Sequence, residues 1–313
     1  MRPLVIGGAG FIGSHLVDRL AARGRVTVFD DLSAGREAFI AEALASGHVT
    51  LVRGDAKDPG ALVRAMRDHD VVVHLVANPE ARAGLLNTRL DLEQGTITTY
   101  NALEAARTVG ATRFILASSG TVYGDTPEPC AEGDLGHLPI SLYGASKLAC
   151  EGLVSAYAEC FALQGTIMRF GNVVGPRATH GVIVDLFAKL RTRPDVLDVL
   201  GNGSQSKPYL HVTDCAAALL HVLDHAAGPL DVFNLAPDDA TRVATIAELC
   251  VAASPSPRTR IAYGEGPKGW LGDVPTSRLV SAKLAALGFR LERTSNDAVV
   301  QAIGEVAREV FGR

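Results

Sequence analysis

The run Gly7-Gly8-Ala9-Gly10-Phe11-Ile12-Gly13 constrains this chain more than any other feature. It follows a short apolar segment, Leu4–Ile6, and opens a stretch of helical spacing, Ile12–Ala22. A glycine-rich turn between a strand and a helix leaves the N–H groups of the helix start free, with no side chain to keep an anion away. Gly7 is expected to make the tight turn, Gly10 to let the backbone approach a pyrophosphate, and Gly13 to let helix and strand pack closely. Such a turn gains weight when an acidic residue ends the next strand. Asp30, in Val28-Phe29-Asp30-Asp31-Leu32-Ser33, holds that place. A carboxylate there accepts from the adenosine ribose hydroxyls and repels a 2′-phosphate, so it predicts NAD rather than NADP. Asp55, in Gly54-Asp55-Ala56, suits either the adenine amine or an ordinary loop aspartate.

The spacing of apolar residues extends the pattern. Short branched runs at Val26–Asp30, Thr50–Arg53, Val71–Val76, Arg113–Ala117 and Thr166–Phe170 predict strands. Helical stretches at Ala61–Arg67 and Thr96–Thr108 lie between them. Alternation of this kind predicts an α/β fold: a Rossmann-type, doubly wound parallel sheet, joined to a smaller C-terminal substrate-binding domain. Beyond Phe170, loops at Gly175–Gly181 and Gly201–Pro208 flank a helix near Ile183–Leu190. A helix at Val212–Leu223 and a strand at Val232–Leu235 should return to the sheet, and helices near Thr245–Val251 and Ser281–Leu287 complete a cap. The expected division is residues 1–170 with 210–236 for the dinucleotide, and 171–209 with 237–313 for the substrate.

Composition excludes several classes. With 47% hydrophobic residues among 313, the chain can bury a sizeable core, and a net charge of -4 argues against nucleic acid as a partner. No run of about 18 apolar residues offers a membrane span, and the first apolar segment lacks the build of a signal peptide. The five cysteines are odd in number and without metal-ligand spacing, which suits reduced thiols in a cytoplasmic protein.

Tyr143-Gly144-Ala145-Ser146-Lys147 sets a phenol and an ammonium four residues apart, on one face of a helix. A free phenol has a pKa of about 10, and a neighbouring ammonium is expected to lower it enough for base catalysis. The Arg113–Ala117 strand runs into Ser118-Ser119-Gly120-Thr121-Val122-Tyr123-Gly124, at the carboxyl end where ligands meet a parallel sheet. Ser119 there can orient a substrate hydroxyl toward Tyr143, whereas Ser118 suits the cofactor or a simple strand-end cap.

Together these segments resemble the extended short-chain dehydrogenases, in particular the NAD-dependent nucleotide-sugar epimerase/dehydratase family, and within it the UDP-galactose 4-epimerase-like members. The resemblance runs almost end to end, through GGAGFIGSHL from Gly7, VFDDLSAG from Val28, HLVANPEAR from His74, SSGTVYG from Ser118, YGASK from Tyr143, RFGNVVGPR from Arg169 and QSKPYLHVTD from Gln205. It implies that Ser119, Tyr143 and Lys147 are catalytic. It also implies NAD contacts from Gly7, Gly10, Phe11, Ile12, Gly13, Asp30, Asp31, Leu32, Ser33, Gly35, Asp55, Ala56, Leu75, Val76, Ala77, Ser118, Tyr143, Lys147 and Phe170. Substrate contacts are implied at Ser119, Gly120, Thr121, Asn172, Val182, Leu200, Gln205, Lys207, Lys268, Asp273 and Ser277. Lys207 and Lys268 stand where relatives place phosphate-clamping arginines, and lysine lacks the bidentate fork. A solvated surface charge is the lesser alternative for Lys268. Arg82 and Arg177 are basic residues without an assigned place.

In such enzymes a UDP-sugar is oxidised transiently at carbon 4. Relatives that act as 4,6-dehydratases carry an acidic residue just after the serine or threonine, where this chain has Gly120 and Thr121. A 4-epimerase of UDP-hexoses or UDP-N-acetylhexosamines is therefore the leading expectation. Ser277, where hexose-only epimerases carry a bulky tyrosine, leaves room for an N-acetyl group. The alternative is a UDP-N-acetylglucosamine 5,6-dehydratase of the tunicamycin type, and a third reading is a non-catalytic NAD sensor. A homodimer is implied by the resemblance.

Overall fold

The computed structural model describes residues 1–134 and 137–312. Seven strands form one sheet: β1 (Pro3–Ile6), β2 (Val26–Asp30), β3 (Val49–Arg53), β4 (Val71–His74), β5 (Arg113–Ser119), β6 (Gln164–Phe170) and β7 (Leu230–Leu235). Their order is β7-β6-β5-β4-β1-β2-β3, and every pairing is parallel. This is the doubly wound Rossmann-type α/β sheet. The chain reverses direction across the sheet between β1 and β4, which opens a crevice at the carboxyl ends of those strands.

Alternation along the strands fills two cores. Leu4, Ile6, Phe114 and Leu116 join one buried cluster, while Val5, Ile115 and Ala117 join the other. A strand covered on both faces has no polar side, which is why β1 and β4 are apolar throughout and wholly buried up to His74. The helices Thr98–Val109 and Leu142–Phe161 cover one face, and Phe11–Ala21 with Val212–His225 covers the other. A third cluster, around Phe187, Ile246, Val299 and Ile303, lies between the helices Val182–Thr192, Val243–Ala253 and Ser295–Phe311.

Some boundaries differ from those the sequence predicts. The strand expected over Val71–Val76 ends at His74, because its partner β1 ends opposite it at Ile6. Leu75 and Val76 turn out of the sheet and into the crevice. The helix expected over Ser281–Leu287 shortens to Ala282–Ala286, since the Ser281 hydroxyl both donates to and accepts from the Ala236 backbone. The last helix, Ser295–Phe311, has no counterpart among the predicted elements. Its start is marked by a capping box of Thr294 and Asp297, which the sequence displays. Among the described residues, no helix is long and apolar enough to cross a membrane.

Candidate active site

One cavity of about 690 Å³ runs from the Gly7–Gly13 turn, past the ends of β4 and β5, to the segment around Leu200 and Ser277. At its first end, Gly7 has φ of +82°, and a side chain on Gly13 would drive into the Gly7 carbonyl. The Phe11–Ala21 helix begins without a side-chain cap, so its first N–H groups face the cavity as an anion site. Asp30, at the end of β2, accepts from Ala9 N and Leu32 N, both at 2.9 Å. These bonds fix its carboxylate at the cavity wall, where burial raises its pKa. The turn, the uncapped helix and this carboxylate fit a dinucleotide.

Further along, Ser119, Tyr143 and Lys147 line the same cavity. Ser141 caps the helix that carries the last two by accepting from Gly144 N. Ser119 Oγ accepts from Thr121 N at 3.2 Å and from Thr121 Oγ1 at 3.0 Å. With both lone pairs engaged, its own proton is free to donate to the Tyr143 phenol, a bond that favours the phenolate. Lys147 is only 3% exposed and donates to Ala117 O at 2.7 Å.

The expected acidification of Tyr143 by Lys147 is not what this geometry gives. The ammonium lies 5.8 Å from the phenol ring centroid and is turned to the end of β5. Burial pushes the phenol up to about 12, Asp91 adds to the rise, and the Ser119 bond opposes it. Ser118 lines the same cavity, and its hydroxyl donates to Glu151 Oε1 at 2.5 Å, inside a buried network with Arg169.

At the far end, Lys207 Nζ meets Asp273 Oδ1 at 2.6 Å, and Asp273 Oδ2 accepts from Gly269 N at 3.0 Å. The pair holds a cation at the wall with its charge balanced. Gln205, which donates to Leu200 O, lines this end along with Asn172, Val182 and Ser277.

Against this geometry the comparisons are consistent. The model of the NAD dependent epimerase/dehydratase family matches residues 3–236. The chain belongs to that family. A solved UDP-galactose 4-epimerase is 37% identical, covers 99% of both chains and superposes with a TM-score of 0.89. The UDP-glucose 4-epimerase of Thermus thermophilus, solved with NAD, is 29% identical, with 97% of this chain and 98% of that one covered and a TM-score of 0.85. A UDP-N-acetyl-alpha-D-glucosaminuronate decarboxylase of Bacillus cytotoxicus is 30% identical over 79% of this chain and 78% of its own length. The protein is thus an NAD-dependent enzyme of an epimerase, decarboxylase and dehydratase family. Decarboxylation is a reaction class that the sequence reading did not include.

Within this epimerase/dehydratase frame, nearly all the anticipated residues line the one cavity. Two do not. Leu32 turns its side chain into the core, though its N–H holds Asp30. Lys268 pairs with Asp125 at 2.8 Å on the surface, both partners more than a third exposed, and is absent from the cavity wall. Of the unassigned arginines, Arg82 lines the cavity beside Glu80, and Arg177 pairs with Asp18 at 2.7 Å. Sequence reasoning missed Asn78, Glu80, His180 and Asp185, all on the wall. The first two lie within the quoted HLVANPEAR stretch, so proximity to that landmark was the available signal.

Proposed function

We propose that the enzyme is a UDP-sugar 4-epimerase acting on UDP-hexoses or UDP-N-acetylhexosamines. The observation behind this reading is the strand-end turn, where Ser119, Gly120 and Thr121 face the cavity beside Tyr143 and none is a carboxylic acid. Tyr143 takes the proton of the sugar's carbon 4 hydroxyl, and Ser119, by donating its one proton to the phenol oxygen, stabilises the phenolate that results. The Gly7–Gly13 turn and Asp30 would hold NAD, which would supply reversible hydride acceptance at carbon 4. Epimerisation then requires only that the keto sugar turn before hydride comes back, and Tyr143 reprotonates the oxygen on the new face. Lys207, with Asp273, and Asn172 would hold the diphosphate, and Ser277 would leave space at the carbon 2 substituent.

One observation keeps the 5,6-dehydratase as a second reading. Glu80, itself partly exposed, brings a carboxylate to the same cavity from outside the strand-end turn. The deciding experiment incubates NAD-loaded protein with UDP-glucose, UDP-N-acetylglucosamine and UDP-glucuronate and follows products by chromatography and mass. An isobaric product supports the epimerase. Loss of water overturns it in favour of the dehydratase, and loss of carbon dioxide in favour of a decarboxylase.

The proposal extends to the division into a dinucleotide half and a substrate half, to a cytoplasmic setting, suited to five free cysteines of which four are buried, and to a homodimer. Ile97 and Tyr100 on one helical stretch, and Leu142 and Phe161 on the neighbouring helix, are exposed apolar residues suited to a second copy. Tyr100→Glu should yield a monomer in sedimentation velocity.

A further inference from the structure

We infer that Asp91 is a positioning residue for Tyr143 and Lys147: a buried carboxylate that acts as the counter-charge of Lys147 and, through Asn78, ties the cavity wall at Glu80 to the catalytic helix. The inference rests on reading Tyr143 and Lys147 as the acid–base pair.

The tether is continuous. Asp91 is 2% exposed, and its Oδ1 accepts from Asn78 Nδ2 at 3.0 Å. The Asn78 amide also donates to Glu80 O at 2.9 Å and accepts from Glu80 N at 3.0 Å. On its other side, the Asp91 carbonyl accepts from Ser146 Oγ at 2.7 Å, and Ser146 stands between Tyr143 and Lys147 on their helix. Asp91 Oδ2 has no hydrogen-bond partner among the described residues. A buried carboxylate oxygen left unpaired calls for a reason.

The charges around the pair supply one. Among the described residues Lys147 bonds only a neutral carbonyl, so its ammonium needs an anion nearby. Glu151, one turn along the same helix, has both oxygens engaged by Arg169 of β6, at 2.9 and 2.6 Å. His74, at the end of β4, is held neutral by burial, with its pKa lowered to about 3. The Cys150 thiol accepts from Thr99, and Glu80 faces Arg82 at 3.9 Å. Among these groups Asp91 is the carboxylate without an arginine partner; burial raises its own proton affinity, while the Asn78 bond and the nearby Lys147 ammonium hold it down. Burial lowers the Lys147 pKa while Cys150, Glu151 and Asp91 raise it, and Asp91 also raises the proton affinity of Tyr143. The carboxylate thus keeps the ammonium charged and makes the phenolate a stronger base.

The test reads Tyr143 directly. The NAD-loaded protein is labelled with 13Cζ-tyrosine, the Tyr143 resonance is assigned with Tyr143→Phe, and its titration is followed by NMR. Asp91→Asn preserves shape and the Asn78 bond but removes the charge, so Tyr143 should titrate about one pH unit lower. Loss of the same charge lowers the Lys147 pKa, so both limbs of the turnover profile should move to lower pH. Asn78→Ala cuts the tether and keeps the charge. It should raise KM for the nucleotide sugar with the Tyr143 titration in place. An unmoved Tyr143 titration in Asp91→Asn overturns the counter-charge, and an unchanged KM in Asn78→Ala overturns the tether. Asp91→Ser serves if the amide does not fold. A merely structural Asp91 would lower melting temperature and turnover and leave the titration fixed. Because the NMR signal needs no turnover, failure of the epimerase reading is seen separately, as the absence of an isobaric product.

Discussion

At the Gly7–Gly13 end the cavity is bounded by backbone, and at the Leu200–Ser277 end by side chains carried on loops. The first wall is dictated by steric necessity. Gly13 admits no side chain, and Asp30 is held by two N–H groups. The second wall is a set of polar contacts, such as Lys207 with Asp273 and Gln205 with Leu200, each of which another residue could replace. A ligand gripped by backbone is common to a family, whereas one gripped by loop side chains can change with few substitutions. The same contrast suits a family whose members include epimerases, decarboxylases and dehydratases.

Substitutions can break or sharpen this contrast. The largest effect is expected between the two ends. Tyr143→Phe should cut turnover by about 10²–10⁴-fold while bound NAD is retained, measured by single-turnover assays and cofactor analysis after denaturation. At the backbone-built end, Gly13→Ala should cost about 1–3 kcal/mol of stability by overpacking and should release NAD, read from melting curves with and without cofactor. At the loop-built end, Lys207→Ala should raise KM for the nucleotide sugar about tenfold with NAD content unchanged, because one charge-assisted contact is lost. Smallest of all, Lys268→Ala should leave KM and the melting temperature within error, as expected of an exposed ion pair. If Lys268→Ala matched Lys207→Ala, the loop-built wall would have to extend to the surface pair with Asp125.

The difference between the ends also governs what could be read in the sequence. Gly7, Gly13 and Asp30 were legible because each answers to a local requirement: a positive φ, a close approach, a carboxylate after a strand. Strands β1, β2, β5 and β6 were legible to within a few residues for the same kind of reason, their branched apolar runs. Lys268 was misplaced because its charge could be met either by a phosphate or by Asp125, 143 positions away, and spacing does not say which. Tyr143 was expected to be acidified because Lys147 follows it by one helical turn. The burial that reverses the shift, and the direction of the ammonium toward Ala117, are tertiary facts. Asp91 escaped notice for a related reason: its neighbours come from Asn78 and Ser146, on two other segments.

The edge strand β7 enters the sheet only after residue 229, beyond Asn172, Val182, Leu200, Gln205 and Lys207 of the cavity's far wall, and pairs with β6, which ends at Phe170. During synthesis the sheet therefore cannot be completed when its first six strands have emerged. The edge of β6 stays open until about sixty more residues follow, at roughly 5–20 residues per second. Closure of the sheet beside the cavity is in this way timed by the translation of residues 171–229.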